Sequence, residues 1–270
     1  MFTPNPTSSG EYMNTVISQW LDTYRAAGKA TSTIRNRASY VHMMAKETNP
    51  LTITPQELQH YLASRDLSPE GRKSMVVALR SFYRWAYRRQ LTAIDLSLEL
   101  PSVTVPMGTP KPIPAVILAR ARAVADPETL LMLDLGALAG LRLHEIAAVH
   151  SDNISDFGLR VKGKGGRVRT VPIHPRLKER LAAVDGWAFP SSRRTGAHSS
   201  PDYVASRIEA VIEPPYTTHS LRHYFATSVY RGTHDLRSVQ TLLGHASIET
   251  TQRYVLVDQD ALNAAVLSVA

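Results

Sequence analysis

The sequence has no cysteine, and none of its apolar runs is long enough to cross a membrane, in a chain of 270 residues. The lack of cysteine excludes a disulfide framework and thiolate metal sites, and a membrane-spanning helix needs about 20 consecutive apolar residues. Residues 1–10 also lack the basic start and apolar centre of a secretory signal. These absences predict a soluble cytoplasmic protein with no membrane partner.

Acidic residues are also in deficit. The chain carries 31 lysines and arginines against 23 aspartates and glutamates, which gives a formal net charge of +8 at pH 7. A surplus of positive charge attracts polyanions, although it says nothing about the fold, so we expect a polyanion as the partner. At about 150 residues per domain, the length predicts two domains.

A proline-rich segment divides the chain. Residues 101–114 include five prolines, which exclude a helix and favour a semi-rigid extended connection. Upstream, apolar residues at helical spacing predict four or five helices between Tyr12 and Leu98. We therefore predict a helical domain at residues 1–100, a linker at 101–114 and a second domain at 115–270.

The second domain combines mostly helical patterns with one pair of strands. Asp126 is suited to cap an apolar helix that should end near Gly140. Strand patterns follow at residues 159–161 and 168–173, separated by a glycine-rich turn that bears Lys164. The predicted fold class is mainly α with a small antiparallel β-sheet.

Residues 217–254 concentrate side chains that suit phosphoryl chemistry. The stretch begins T-T-H-S-L-R-H-Y-F-A-T and later reads L-L-G-H-A-S-I-E-T-T-Q-R-Y. His219 and Arg222 are three positions apart and therefore share one helix face. Gly244 suits a left-handed helix cap, which would place His245 on a sharp turn.

Two assignments in this stretch have structural alternatives. Tyr254 fits either a nucleophile presented to a cleft or a core tyrosine with a hydrogen-bonded hydroxyl. His219 and His223 are four apart, as in helical zinc sites, but the glutamate of H-E-x-x-H is missing and an arginine lies between them. We therefore predict no metal site and no cofactor, and we expect His223 to hydrogen-bond within the fold.

These elements resemble the C-terminal signature of the tyrosine recombinases, the phage integrase, Xer and Cre family: H-x-L-R-H-x-F-A-T, then L-L-G-H, then a tyrosine nine residues after that histidine. The family's first arginine box is similar to A-G-L-R-L-H-E-I-A-A-V at residues 139–149, which supplies Arg142 and Glu145. V-K-G-K-G-G-R-V-R-T-V-P-I resembles its hairpin, with Lys164 as the turn lysine. His144 departs from the pattern, because the family more often has a small residue there.

The resemblance implies how the two domains act on DNA. The first domain is expected to be a core-binding domain whose helices insert into the major groove, and the second a tyrosine-recombinase catalytic domain. Groove contacts are predicted for residues near helix N-termini: Ser32, Arg35, Arg72 and Lys73. A last helix near residues 262–269 is expected either to dock on a neighbouring protomer or to pack on its own core.

The resemblance also implies the partners and the location. They are double-stranded DNA at a specific recombination site and a homotetramer assembled on that DNA, with accessory DNA-bending or directionality proteins as further candidates. The protein is then expected at the nucleoid, or in the host cell cytoplasm if a phage encodes it.

The implied chemistry starts from Tyr254, which attacks the scissile phosphate to leave a 3′-phosphotyrosine and a free 5′-hydroxyl. At neutral pH, ionising an ordinary tyrosine costs about 4 kcal/mol. Hydrogen bonds that the protein donates to the phosphate can offset this cost. Lys164 is the expected acid for the departing 5′-oxygen. His219 is expected to accept the tyrosine proton or to act as a positioning donor.

Two arginines are expected on the non-bridging oxygens, because a guanidinium binds two oxygens at once and stays charged. They are Arg142 and Arg222. His245 is expected to donate a further hydrogen bond to the phosphate, and Glu145 to orient Arg142 or a histidine.

The sequence favours a phage-type integrase that exchanges strands through a Holliday junction. An Xer-like resolvase of the same family is one alternative. A recombinase-like DNA-binding protein without activity is another alternative. The presence of all six predicted catalytic residues argues against it: Arg142, Lys164, His219, Arg222, His245 and Tyr254. An enzyme similar to type IB topoisomerases would use the same nucleophile without needing paired sites.

Overall fold

The computed structural model describes residues 6–106, 108–163, 166–245, 247, 249–252, 254, 266 and 267. The chain divides into two compact units, Met1–Pro106 and Met107–Ala270. The division falls within the proline-rich segment. Both units are mainly helical, and the second contains a three-stranded antiparallel sheet, so the predicted fold class is confirmed.

Four helices are described in the first unit. They are α1 (Pro6–Ala26), α2 (Thr31–Ala45), α3 (Pro55–Ala63) and α4 (Pro69–Arg88). The last two begin where Thr54 and Ser68 accept backbone hydrogen bonds, and each cap is followed by a proline, an arrangement that stabilises a helix start. In the core of this unit, Phe82 packs edge-on against Trp20 and Tyr83.

The second unit contains the remaining helices and the sheet. Its described helices are α5 (Ala115–Val124), α6 (Pro127–Ala139), α7 (Leu143–Ala147), α8 (Pro175–Ala182), α9 (Pro201–Glu209), α10 (Thr218–Thr233), α11 (Leu236–Leu243) and α12 (Glu249–Gln252). A 3-10 turn at Ser151–Asn153 leads into the strands β1 (Ile154–Ser155), β2 (Gly158–Lys162) and β3 (Val168–Val171).

The sheet is a meander with the order β1-β2-β3 and antiparallel pairing throughout. Leu159 lies opposite Val171, and Lys162 lies opposite Val168. Leu159, Val161 and Val171 are buried, as the period-two alternation of strands requires. The strand pair that the sequence predicts is confirmed, whereas β1 has only two residues and too little pattern to be recognised.

Helix α6 runs through the core of the second unit and packs against α10. The helices approach closely at Gly136, where an added Cβ would lie 3.0 Å from the Leu221 side chain. The helix ends at Gly140 as predicted, in the left-handed conformation (φ +63°), and a Cβ there would collide with the Phe225 ring. The chain therefore turns sharply just before Arg142.

None of the helices that the structure describes combines the length and the apolar character needed to span a bilayer.

Candidate active site

Arg142 occupies the cap position of the short helix α7, immediately after the turn at Gly140. Its backbone N–H donates to Oε2 of Glu145 at 2.8 Å, and its Nη1 donates to Oε1 of the same carboxylate at 3.1 Å. The acid three residues on therefore holds both the backbone and the side chain of Arg142. The contact is the one expected if Glu145 orients Arg142, and that role in the site stays a prediction.

Glu145 is the centre of the charge cluster, and its side chain is fully buried. Arg169 donates from Nη1 and Nη2 to its two oxygens, both at 2.8 Å. Burial alone would raise the pKa of Glu145, but hydrogen bonds from Arg169 and from the Arg142 backbone, with the charges of Arg169 and Arg222, lower it to about 2. The group is therefore a carboxylate at neutral pH.

Arg222 extends from α10 and is only 2% exposed. Its Nη1 donates to the Gly140 carbonyl, its Nη2 donates to the Leu243 carbonyl at 2.6 Å, and Nη1 lies 3.9 Å from Oε2 of Glu145. Burial and the neighbouring charge of Arg142 lower the pKa of Arg222 to about 9, against the attraction of Glu145. At neutral pH the guanidinium remains charged.

The end of α11 brings the two arginines together. The Leu243 carbonyl also accepts from Nη1 of Arg142, at 3.5 Å. Gly244 then ends the helix in the left-handed conformation (φ +63°), as the sequence predicts. The His245 backbone N–H donates to the Gln240 carbonyl, and Nδ1 of His245 lies 2.9 Å from Oγ1 of Thr251. His245 is thus held on the turn that follows the shared carbonyl.

Arg142 and His245 line the same cleft, which has a volume of about 800 Å³. Four of its side chains are arginines: Arg142, Arg167, Arg169 and Arg237. Arg142, Arg222 and His219 also line a second cavity of about 340 Å³, together with His144. The predicted residues Arg142, Arg222, His219 and His245 therefore surround two adjoining spaces that meet at Arg142.

Tyr254 is fully buried. Its hydroxyl lies 3.0 Å from Nδ1 of His223, and its ring is nearly parallel to that of His245, with centroids 6.5 Å apart. The His223 ring in turn packs edge-on against the ring of His219 at 4.5 Å. The structure shows Tyr254 buried with its hydroxyl against His223, and its role as a nucleophile stays a prediction. The expected hydrogen bond of His223 within the fold is confirmed.

Two sequence predictions lie outside the described residues. Lys164 is one, although its neighbour Gly163 lines the larger cleft. The last helix near residues 262–269 is the other, apart from Val266 and Leu267. Among the residues that the structure does describe, there is no group of three histidines, aspartates or glutamates that could hold a metal ion.

The four residues predicted to contact the DNA groove have different environments in the first unit. Ser32 and Arg35 are exposed near the start of α2, and Lys73 is exposed near the start of α4. Arg72 is partly buried: its Nη1 donates to the Leu62 carbonyl at 2.8 Å and its Nη2 to the Arg65 carbonyl at 2.7 Å. Arg72 therefore stabilises the end of α3, and a groove contact by it stays a prediction.

Sequence reasoning missed Arg169. The residue lies opposite Val161 in the sheet and, by alternation along β3, on the same face as the buried Val171. A charged residue on the inner face of a strand signals a buried partner. That signal was present in the V-R-T-V pattern.

Comparison with known proteins places the chain in a family. Residues 113–260 match the model of the Phage integrase family. The tyrosine recombinase XerC of Rhodospirillum centenum is 36% identical over 75% of this chain and 67% of its own length. XerD of Vibrio cholerae is 29% identical over 92% of this chain and 93% of its own.

Solved structures show the same fold. A lambda integrase dimer bound to a core site covers 87% of this chain and 95% of its own, with a TM-score of 0.71 at 17% identity. XerH in a post-cleavage complex with its difH substrate covers 93% of this chain and 84% of its own, with a TM-score of 0.67 at 20% identity. The fold is thus that of a tyrosine recombinase. The chain belongs to the phage integrase family, whose members are site-specific recombinases acting on DNA, and the resemblance inferred from the sequence is confirmed.

Proposed function

We propose that this chain is a DNA strand transferase that cuts and rejoins double-stranded DNA at a specific site through a 3′-phosphotyrosine at Tyr254. One observation carries the proposal: Arg142 and Arg222 both contact the Leu243 carbonyl and Glu145. His245 lies on the turn that follows Leu243. A compact set of donors of this kind suits a phosphate with developing negative charge.

The two guanidiniums bind the non-bridging oxygens of the scissile phosphate. Arg222 is largely desolvated, and a buried positive charge attracts an anion more strongly than an exposed one. Burial and the neighbouring positive charges lower the pKa of Arg222, and a bound phosphate opposes the effect of those charges. His245 adds a hydrogen bond from the adjoining turn.

The transfer step exchanges one phosphoester bond for another. The phenolic oxygen of Tyr254 bonds to phosphorus as the bond from phosphorus to the 5′-oxygen breaks. His219 takes the phenolic proton, and Lys164 gives a proton to the 5′-oxygen. The Tyr254 hydroxyl is fully buried on His223, so this side chain must move before it reaches a phosphate on bound DNA.

The partner is double-stranded DNA, and the active assembly is a homotetramer that exchanges strands through a Holliday junction. One structural neighbour is a lambda integrase tetramer bound to a Holliday junction, with a TM-score of 0.70. Exposed Ser32, Arg35 and Lys73 supply groove contacts from the core-binding unit, and accessory DNA-bending or directionality proteins set the direction of reaction.

The direct test is a nicked suicide substrate, from which the cut strand cannot be rejoined. A pool of such duplexes with randomised sequence is incubated with the chain, and covalent adducts are recovered and sequenced. We expect an adduct at one preferred sequence that is lost in Tyr254→Phe. Binding without adduct indicates an inactive DNA-binding relative, adduct without sequence preference indicates a topoisomerase-like enzyme, and adduct in Tyr254→Phe removes Tyr254 from its role.

Integration is the preferred reaction, and Xer-like resolution is the alternative favoured by relatives named XerC and XerD. The recovered site distinguishes them. A phage-type integrase joins two different sites, so plasmids that carry two copies of one site should fail to recombine. Efficient recombination between two identical copies supports the Xer-like alternative.

A further inference from the structure

Each of the three guanidinium nitrogens of Arg169 donates a hydrogen bond within the protein. Nη1 and Nη2 donate to the two oxygens of Glu145 at 2.8 Å each, and Nε donates to the Leu242 carbonyl at 2.7 Å. The side chain is 9% exposed. It also passes so close to Gly244 that a Cβ there would lie 2.9 Å from its Cδ. The position of the guanidinium is therefore fixed from three directions.

These contacts join three separate segments of the second unit. Arg169 lies on β3, Glu145 on α7, and Leu242 near the end of α11. The carboxylate that Arg169 holds is the one that binds the backbone and the side chain of Arg142. Arg169 also holds the end of α11, where the Leu243 carbonyl accepts from both Arg142 and Arg222. His245 lies on the turn after this carbonyl.

We propose that Arg169 is a positioning residue of the active site, which fixes Glu145 and the end of α11 so that Arg142, Arg222 and His245 meet a single phosphate. The inference rests on the proposed function. The three guanidinium nitrogens of Arg169 donate to Glu145 and Leu242, so the proposal gives Arg169 a positioning role and assigns the phosphate contacts to Arg142 and Arg222. Misplacement of a reacting group by about 1 Å can lower a rate by about 100-fold, so a residue without substrate contact can still control the rate.

The role requires arginine specifically. A lysine at position 169 keeps the positive charge. Its single ammonium group cannot reproduce the planar guanidinium, which donates to both carboxylate oxygens of Glu145 and, from Nε, to the Leu242 carbonyl. Arg169→Lys therefore removes the geometry and retains the charge. Arg176, which is exposed on α8 and lines neither cavity, supplies a matched control in Arg176→Lys.

The test measures single-turnover cleavage of the recovered suicide substrate over a range of DNA concentrations. For Arg169→Lys we expect the rate at saturating DNA to fall about 10- to 100-fold, with the half-saturating concentration changed less than about threefold. Arg176→Lys should match the unchanged chain in both. A loss of affinity at an unchanged saturated rate overturns the proposal, because it indicates direct contact with DNA, and so does an unchanged rate.

A double-mutant cycle tests whether Arg169 acts through Glu145. If it does, the combination of Arg169→Lys with Glu145→Gln should cleave no more slowly than the slower single variant, whereas independent effects multiply. Multiplicative losses overturn the proposal. Folding of each variant is checked by resistance of Met132, which is fully buried in α6, to oxidation by peroxide.

A second variant covers the case in which Arg169→Lys does not fold. Glu145→Asp breaks the same paired contact from the other side and keeps both charges, and a folded Glu145→Asp with an undiminished saturated rate also overturns the proposal. Failure of the proposed function has a different signature. In that case the unchanged chain gives no adduct that depends on Tyr254, and both conclusions are lost together.

Discussion

Replacement of Glu145 by glutamine tests the electrostatic core of the site. The carboxylate is fully buried, so solvent screens its interactions little. Its pKa falls from the ordinary 4.5 to about 2, which corresponds to about 3 kcal/mol at about 1.4 kcal/mol for each pH unit. Glu145→Gln is therefore expected to lower the free energy of unfolding of the second unit by about 3 kcal/mol at pH 7, in line with other buried pairs that lose one partner.

The pH dependence of this loss has a definite sign. The pKa of Glu145 is lower in the folded chain than in the unfolded chain, so its stabilisation is fully present above about pH 4.5 and is lost as the pH falls towards 2. Glutamine does not titrate in this range. The difference in stability between the unchanged chain and Glu145→Gln should therefore be constant from pH 7 to about 5 and shrink below that.

Oxidation of Met132 during urea titration supplies the assay. This methionine is fully buried in the second unit and becomes open to peroxide when that unit unfolds. The urea midpoint is compared between the unchanged chain and Glu145→Gln at pH 7, 5 and 3.5. Glu179→Gln, at an exposed glutamate of α8, is the matched control and should leave the midpoint unchanged. Equal midpoints at pH 7, or a difference that persists undiminished at pH 3.5, refute the reasoning.

Three further variants test other contacts. His223→Ala removes a hydrogen-bond partner of the Tyr254 hydroxyl and should raise the rate at which tetranitromethane nitrates Tyr254, measured by mass spectrometry; unchanged nitration contradicts this contact. Arg72→Gln removes two hydrogen bonds from the end of α3 and should destabilise the first unit by about 1–3 kcal/mol, read from peroxide oxidation of the buried Met75; an equal urea midpoint argues against the capping role. Gly140→Ala places a Cβ at φ +63° against the Phe225 ring and should cost more than about 1 kcal/mol, again by Met132 oxidation, whereas a neutral effect means that the ring moves away.

Local chemistry explains why much of the fold is predictable from the sequence. Asp126 and Ser68 each precede a proline and accept backbone hydrogen bonds at a helix start, so the two signals coincide within a few residues. Gly140 and Gly244 end their helices with positive φ. By contrast, α1 starts at Pro6, well before its apolar stripe. The start of this helix is hard to predict from the sequence, because a polar first turn leaves no periodic pattern.

The site is less predictable, because several of its contacts use groups that have no residue-type signal. The carbonyls of Gly140 and Leu243 accept from Arg222, and every residue has a carbonyl. The order of the motifs indicates which side chains matter, but the pairing of Tyr254 with His223 joins positions 31 residues apart. Such contacts are set by tertiary packing, which a linear pattern does not contain.

The charge balance of the site explains why its arginines need so much support. Arg142, Arg169 and Arg222 face one carboxylate, Glu145, so two positive charges among them are uncompensated. Their repulsion contributes to the lowered pKa of Arg222, and it would separate the side chains if carbonyl groups did not hold them. A phosphate relieves that repulsion, and since the donors are already in place it does so without reorganising them. Repulsion within this arginine cluster destabilises the folded chain, and the same positive charge binds an anion. Binding is strongest in a transition state, where the negative charge on the phosphate is greatest.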